Sequence, residues 1–182
     1  MSNTSATGGY LAGQLAPLAD DELDDAIQAA VASISGLPGD LVRPRWQPTP
    51  PKTPEPDVNW IALGVASTTP NAGPCIHHDG AGDGVTHSQR HAELELLVSC
   101  YGPQAVGYAN LLRDGFGIPQ NMEALKRAGL GFVDTGAVRR APELVNQQWY
   151  NRADFTLRFR VATVQRWAVL SVLEATLQLN KD

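Results

Sequence analysis

A dense run of prolines constrains the fold of this chain more than any other feature. Seven prolines lie between Leu37 and Pro56: Pro38, Pro44, Pro48, Pro50, Pro51, Pro54 and Pro56. Proline fixes φ and has no amide hydrogen, so such a run excludes helix and most sheet pairing and favours a stiff extended segment. We therefore predict that residues 37–56 form a proline-rich strap on the outside of a domain built from other residues, where it contacts other chains.

Three segments have the apolar spacing of helices. In the first, Asp20 or Asp21 is a suitable N-cap, the acids that follow suit the positive end of a helix, and Gly36 ends it. Its apolar residues repeat at helical spacing: Leu23, Ile27, Ala30, Val31 and Ile34. A second helix is predicted over residues 105–116, and a short third one from Pro119 to Gly129.

Other segments are predicted to be strands, either because apolar and polar residues alternate in them or because their composition is typical of strands. They are residues 58–67, 91–101, 130–138, 155–161 and 167–179. Residues 68–88 are rich in glycine and poor in apolar residues, which predicts a mobile loop. The apolar residues among residues 1–19 show neither the period of a helix nor that of a strand, which predicts an extended arm. The expected fold is a single α+β domain over residues 20–182, with an antiparallel sheet of about four strands and two to three helices packed on one face.

Composition limits the function classes. The net charge of −5 argues against a surface that grips nucleic acid, because phosphate binding needs clustered Lys and Arg. No apolar run is long enough to span a membrane and the N-terminus lacks the order of a signal peptide, so we expect a soluble product made in the cytosol. Cys75 and Cys100 are expected to be free thiols.

The one grouping that could hold a metal is rich in histidine, and its spacing is unconvincing. No pair has helical spacing within a predicted helix, and the neighbouring glycines would leave the ligands unsupported. Nucleotide-binding and nucleophile motifs are absent from the sequence. We therefore expect no catalytic residue, no metal site and no cofactor. The grouping is His77, His78, Asp79, Asp83, His87 and His91.

The charged strand at residues 155–161 offers an interface. Arg158 and Arg160, with Arg152 nearby, would lie on or near the sheet face away from the helices. This face is either solvated or makes salt bridges with a neighbouring subunit, through the acids of its first helix or through Glu93 and Glu95. The candidate interface residues are Tyr10, Arg43, Arg45, Trp46, Arg152, Arg158, Arg160, Asp21, Glu22, Asp24 and Asp25.

Several stretches together resemble the neck terminator family of tailed phages and prophages, which has α+β folds related to tail terminators. The most specific is residues 36–48, the long Gly-Leu-Pro-Gly-Asp-Leu-Val-Arg-Pro-Arg-Trp-Gln-Pro segment. The likeness extends from residue 3 to about residue 170, and the histidine grouping inherits no role from it. The other stretches are residues 3–11, 101–103, 111–115 with 120–121, and Trp149 with 152–154.

The resemblance implies a structural subunit of the virion neck that catalyses nothing. Such a subunit is expected to form a homo-oligomeric ring, a hexamer, that ends tail-tube growth and joins the tail to the head-side connector or adaptor. Its partners would be itself, tube subunits and any sheath subunits. DNA would pass through the bore without specific binding, and no membrane would be involved. The protein would reside in the host cytoplasm during assembly.

Two other function classes stay open from the sequence. One is a small metal-dependent hydrolase that uses residues 77–91, and stoichiometric metal content would support it. The other is a peptide-binding or regulatory module, and a stable monomer with one exposed groove would support it.

Overall fold

Two separate units make up the chain in the computed structural model, which describes residues 3–14, 20–145 and 147–172. We call residues 18–71 and 91–162 the core unit, and residues 1–17, 72–90 and 163–182 the hairpin unit. The helices are α1 (Asp20–Ser35), α2 (Ala105–Gly115) and α3 (Glu123–Arg127), with 3-10 turns at Gly39–Leu41 and Pro119–Met122. The strands are β1 (Gly13–Gln14), β2 (Val42–Pro44), β3 (Trp60–Pro70), β4 (Cys75–Asp79), β5 (Val85–Tyr101), β6 (Leu130–Thr135), β7 (Arg139–Arg140), β8 (Glu143–Val145), β9 (Gln148–Tyr150) and β10 (Arg152–Trp167).

All three predicted helices are confirmed. α1 begins at Asp20, and Gly36 just beyond its end has a φ of 71°, the left-handed conformation that glycine adopts without strain. Ile27 and Val31 of α1 are fully buried, as its apolar spacing predicts. α2 buries Ala105, Ala109 and Leu112. The third segment starts as a 3-10 turn at Pro119 and continues as α3.

The sheet of the core unit is larger than predicted and is mixed. Its strands run in the order β10-β5-β3-β2, and β6 and β7 also pair with β10. β3 and β5 are antiparallel, but β2 and β3 are parallel. The predicted α+β class is therefore confirmed, whereas the predicted antiparallel sheet of about four strands was wrong, because the sheet is mixed and has more strands.

The parallel strand β2 lies inside the proline strap, where we expected little pairing. Val42 pairs with Ile61, and its side chain is fully buried. An edge strand tolerates proline because the missing amide faces away from its neighbour, and Pro44 ends β2. The strap is therefore part of the core unit at β2 rather than wholly outside it.

The core unit contains every buried hydrophobic side chain found among the described residues. Alternate residues of β5 and β10 pack with those of α1 and α2 in one cluster. Phe116, Phe132 and Phe159 pack together with ring centroids 5.8–6.0 Å apart. The helices approach closely where α2 ends, since a Cβ on Gly115 would lie 2.4 Å from Cγ2 of Ile34.

The hairpin unit is built from strands without an apolar core. β4 pairs with the first part of β5, from Cys75 opposite Gln89 to Asp79 opposite Val85. The predicted loop at residues 68–88 was therefore wrong. Its glycines lie in or beside the turns at either end of β4, and the pairing is carried by backbone hydrogen bonds that leave no apolar pattern in the sequence. Every residue of β4 is exposed.

The termini of the described chain also join the hairpin unit. Gly13 and Gln14 form β1 and pair with Trp167 and Arg166 of β10. The amide of Ser5 donates to the carbonyl of Ala168 over 3.2 Å. The predicted arm is therefore paired over part of its length, although residues 1–2 and 15–19 lie outside the described residues. Of the strand predicted over residues 167–179, only Trp167 is in a strand, residues 168–172 are irregular, and residues 173–179 lie outside the described part.

Candidate assembly surface

One face of the core sheet carries Arg158 and Arg160, two of the interface candidates that the sequence singled out. On β5, Leu94, Leu96 and Val98 are buried with the helices, and the residues that alternate with them point the other way. We call this second side of the sheet the outer face. It is formed by Glu93, Glu95, Leu97 and Ser99 of β5 and by Asp154, Thr156, Arg158 and Arg160 of β10.

The proline strap reaches the outer face directly after β2. The amide of Arg45 donates to the carbonyl of Leu63 over 2.6 Å, which continues the pairing with β3. The indole of Trp46 then lies against Gly64, because a Cβ at Gly64 would stand 2.6 Å from Cζ3 of the ring. Only glycine leaves room for this contact. Trp46 has a φ of 57°, which is strained for a large side chain, and yet 68% of it is exposed.

A hydrogen-bonded chain crosses the outer face beside this tryptophan. The Arg45 guanidinium donates to Oγ of Ser99, and that hydroxyl donates to Oδ1 of Asp154 over 2.5 Å. Nε of Arg152 donates to the same carboxylate oxygen over 2.7 Å, and its other end pairs with Glu143. Ser99 is 1% exposed, so its two hydrogen bonds are shielded from water. The chain joins the strap to β5, β10 and β8.

Two arginines also enclose an aromatic pair. Trp60 and Tyr101 face each other across β3 and β5 and stack with centroids 4.1 Å apart and planes at 6°. Arg43 lies over Trp60 at 5.7 Å, and Arg152 lies over Tyr101 at 5.5 Å. Cations over aromatic faces are stabilising, so these arginines hold the strap and the start of β10 to the sheet.

Arg158 and Arg160 have acidic partners in their own chain. Arg158 makes a two-pronged contact with Asp134 of β6, with Nε 2.5 Å from Oδ1. Arg160 lies 3.4 Å from Glu93 of β5. The hydrogen bond to Asp134, together with its charge, raises the pKa of Arg158 above its usual value. We expected Glu93 to pair with these arginines across a subunit interface, but its contact with Arg160 lies within one chain.

The same carboxylate that organises the outer face affects a buried thiol. Burial raises the pKa of the Cys100 thiol to about 12, and the charge of Asp154 adds to this effect. Burial lowers the pKa of Arg152, but its hydrogen bond to Asp154 and the charges of Tyr101 and Asp154 outweigh that effect, so its pKa lies above the usual value. Both cysteines are free, with Cys75 exposed and Cys100 buried.

A cavity of about 520 Å³ opens on the outer face next to the hydrogen-bonded chain. Four arginines line it, with Asp154 as the acid among its walls, and Leu97 and Ser99 contribute to it from β5. Arg139 and Arg140 come from β7, which pairs with β10 opposite Asp154 and Ala153. The other two arginines are Arg45 and Arg152.

A small hairpin borders this region with exposed apolar side chains. β8 and β9 form a separate two-stranded sheet in which Leu144 lies opposite Trp149. Leu144 is 59% exposed and Trp149 is 67% exposed. Glu143, the residue before Leu144, is held by its ion pair with Arg152. A two-stranded hairpin alone is marginally stable in water, so this ion pair helps to fix its base.

The remaining interface candidates are not among the described residues that line this cavity, which we call the arginine cavity. Glu22 and Asp25 are exposed on the first turns of α1, and Asp24 is half-buried. The side chain of Asp21 lies outside the described part of the structure. Tyr10, in the hairpin unit, is 97% exposed.

The histidine grouping does not assemble into a metal centre in the described part of the chain. His77 lies opposite His87 across β4 and β5, and His78 is bound to the hydroxyls of Thr86 and Ser171 at 3.0 and 3.1 Å. No set of three or more potential ligands is placed to bind a metal among the described residues. Nor does any helix in those residues have the length and hydrophobicity to cross a membrane.

Sequence reasoning missed Arg139 and Arg140. Two adjacent arginines just after a predicted strand were a visible signal, but only the alternating row on β10 was considered. It also missed the acids Asp134 and Glu143, which pair with that row from β6 and β8. These pairs join residues well apart in the chain, so they follow from sheet order rather than from local spacing.

Comparison with known proteins identifies a family for this chain. A search of curated proteins finds no match. A family model described as phage neck terminator protein matches residues 21–182, which include the whole core unit except its first three residues. The chain belongs to the phage neck terminator protein family.

Proposed function

We propose that this protein works as one subunit of a homo-oligomeric ring, a hexamer, at the neck of a tailed phage. The ring ends growth of the tail tube and joins the tail to the head-side connector or adaptor. The subunit acts by assembly alone and carries out no catalysis. Family membership supports this proposal, because neck terminators are structural proteins of the virion.

The observation that carries the proposal is the lack of an apolar core in the hairpin unit. Among its described residues, only Thr86 is buried, and β4 is exposed along its whole length. Strand pairing without apolar burial scarcely offsets the entropy lost on ordering the chain. Contacts with other chains would supply the missing burial, as expected of a subunit that completes its structure in an assembly.

The charge of the chain supports passage of DNA rather than its capture. A net charge of −5 gives a field that repels phosphates at long range. A bore lined by such subunits would let the genome pass without holding it. Tube subunits, any sheath subunits and the connector remain the proposed partners.

The test has two arms. Light scattering and electron microscopy of purified full-length protein, alone and with tail tubes, should show closed rings of a single size. Phage that lack the gene should produce tails of uncontrolled length or unjoined heads and tails, and wild-type virions should contain the protein. Purified virions that contain none of it would refute the proposal.

A further inference from the structure

The arginine cavity on the outer face carries more positive charge than its own chain neutralises. Arg45, Arg139, Arg140 and Arg152 line it. Two carboxylates are close by, Asp154 and Glu143, and Arg152 pairs with both of them. The other three arginines have no ion pair among the described residues. The cavity is therefore locally positive on a chain whose net charge is −5.

The contrast with the neighbouring arginine row makes this cavity distinctive. Arg158 and Arg160 each have an acid of their own chain. Arg139 and Arg140 are exposed and make no side-chain hydrogen bond within the described residues. Nε of Arg45 is buried and lacks a hydrogen-bond partner in the same part of the chain. Buried donors without acceptors are costly, and a carboxylate is the strongest acceptor that a guanidinium can find.

We propose that this cavity binds the acidic first turn of α1 from a second copy of the chain. The inference rests on the proposed ring and identifies the contact that closes it. The first turn is the densest acidic run in the sequence, with five acids among residues 20–25. Its Glu22 and Asp25 are exposed. No described residue of this turn lines the arginine cavity of its own chain, and opposite charges at two places on one subunit suit a closed ring, which repeats one heterologous contact.

An exposed tryptophan that directly follows Arg45 adds an apolar contact to this charged site. Trp46 lies over Gly64, and Gly64 pairs with Leu97, which lines the cavity. Exposed ion pairs contribute little affinity, whereas a desolvated tryptophan is a typical anchor of an interface. In the ring, the arginines would set orientation and register, and Trp46 would supply affinity. This assigns to Arg139 and Arg140 the role that the sequence alone suggested for Arg158 and Arg160.

The experiment reverses the charge of the cavity and compares it with a matched pair elsewhere. R139E/R140E and K126E/R127E each convert two adjacent, exposed basic residues to acids. Ring formation by full-length protein, alone or on tail tubes, should fall at least about tenfold for R139E/R140E and stay near wild type for K126E/R127E. Both variants should melt like wild type as isolated subunits. R139Q/R140Q, which removes charge without adding any, should weaken assembly in the same direction but less.

A charge swap then identifies the partner. E22R/D25R alone should also lose rings, and E22R/D25R combined with R139E/R140E in one chain should recover them, because every interface of the ring regains a complementary pair. Normal rings from R139E/R140E, or no recovery in the combined variant, would overturn the inference. Loss of binding to a DNA oligonucleotide in R139E/R140E, with rings intact, would assign the cavity to phosphates and would also overturn it. If wild-type chains form no ring and are absent from virions, the proposed function itself fails.

Discussion

The core unit and the hairpin unit are both rich in β-strands, but they are held together in different ways. In the core unit, alternate residues of β5 and β10 pack against α1 and α2, and every buried hydrophobic side chain of the described residues lies there. In the hairpin unit, β4 and the first part of β5 pair with no such packing. The comparison teaches that the core unit has an apolar core of its own, whereas the described residues of the hairpin unit have none.

The largest effect should come from removing an aromatic ring from the core unit. Phe159 is fully buried against Phe116 and Phe132. Phe159→Ala should lower the free energy of unfolding by about 3–5 kcal/mol, because it removes apolar contacts and leaves a cavity. The matched change in the hairpin unit is Ile76→Ala, at a side chain that is 62% exposed, and it should cost less than about 0.5 kcal/mol. Urea titration of both variants measures the difference, and equal losses would contradict the distinction between the units.

The buried thiol of the core unit should make stability sensitive to alkaline pH. The pKa of Cys100 is raised to about 12, so the folded state keeps its proton where the unfolded state, with a pKa near 8.5, loses it. The contribution of this thiol to the free energy of unfolding is fully present below about pH 8.5 and falls as pH rises toward 12. The loss amounts to about 2 kcal/mol by pH 10. Unfolding at several pH values should show this slope in wild type and in Cys75→Ser. The slope should be smaller in Cys100→Ala, and an unchanged slope there would assign the effect to other groups.

The hydrogen-bonded chain on the outer face should contribute a smaller amount. Ser99→Ala removes a buried hydroxyl that joins Arg45 to Asp154, and should cost about 1–2 kcal/mol. Ser88→Ala, on the same strand but in the hairpin unit, is the control and should change thermal stability little. Because Arg45 lines the arginine cavity, Ser99→Ala should also weaken ring formation. Calorimetry and light scattering on the two variants check both effects.

The smallest effect on the isolated subunit should follow deletion of residues 1–18. The described arm residues are mostly exposed, and their pairing with Trp167 and Arg166 and the Ser5 hydrogen bond to Ala168 lie within the hairpin unit, so their removal should cost the core unit little. The melting temperature should stay close to that of the full chain, while assembly should weaken. A subunit that fails to fold without the arm would show that the core unit depends on it.

Sequence patterns predicted the core unit better than the hairpin unit for the same physical reason. An element that buries one face has apolar residues at a regular spacing in its sequence, so α1 and the strand at Phe155–Val161 were predicted correctly. β4 was missed because its pairing depends on backbone hydrogen bonds, which any residue except proline can make. β2 was missed because three paired residues lie among prolines. The arginine cavity needs β7 to lie beside β10 and the Arg45 side chain of the strap to reach Ser99 of β5, and neither follows from local spacing.

Amide hydrogen exchange on the free subunit and on the assembled neck tests the central claim most directly. The account predicts that amides of β5 from Leu94 to Cys100 are strongly protected in both states. Amides of β4 and of residues 85–89 should exchange quickly in the free subunit and become at least about tenfold slower in the assembly, because neighbouring chains complete the hairpin unit. Strong protection of β4 in the free monomer, or no gain on assembly, would contradict the account.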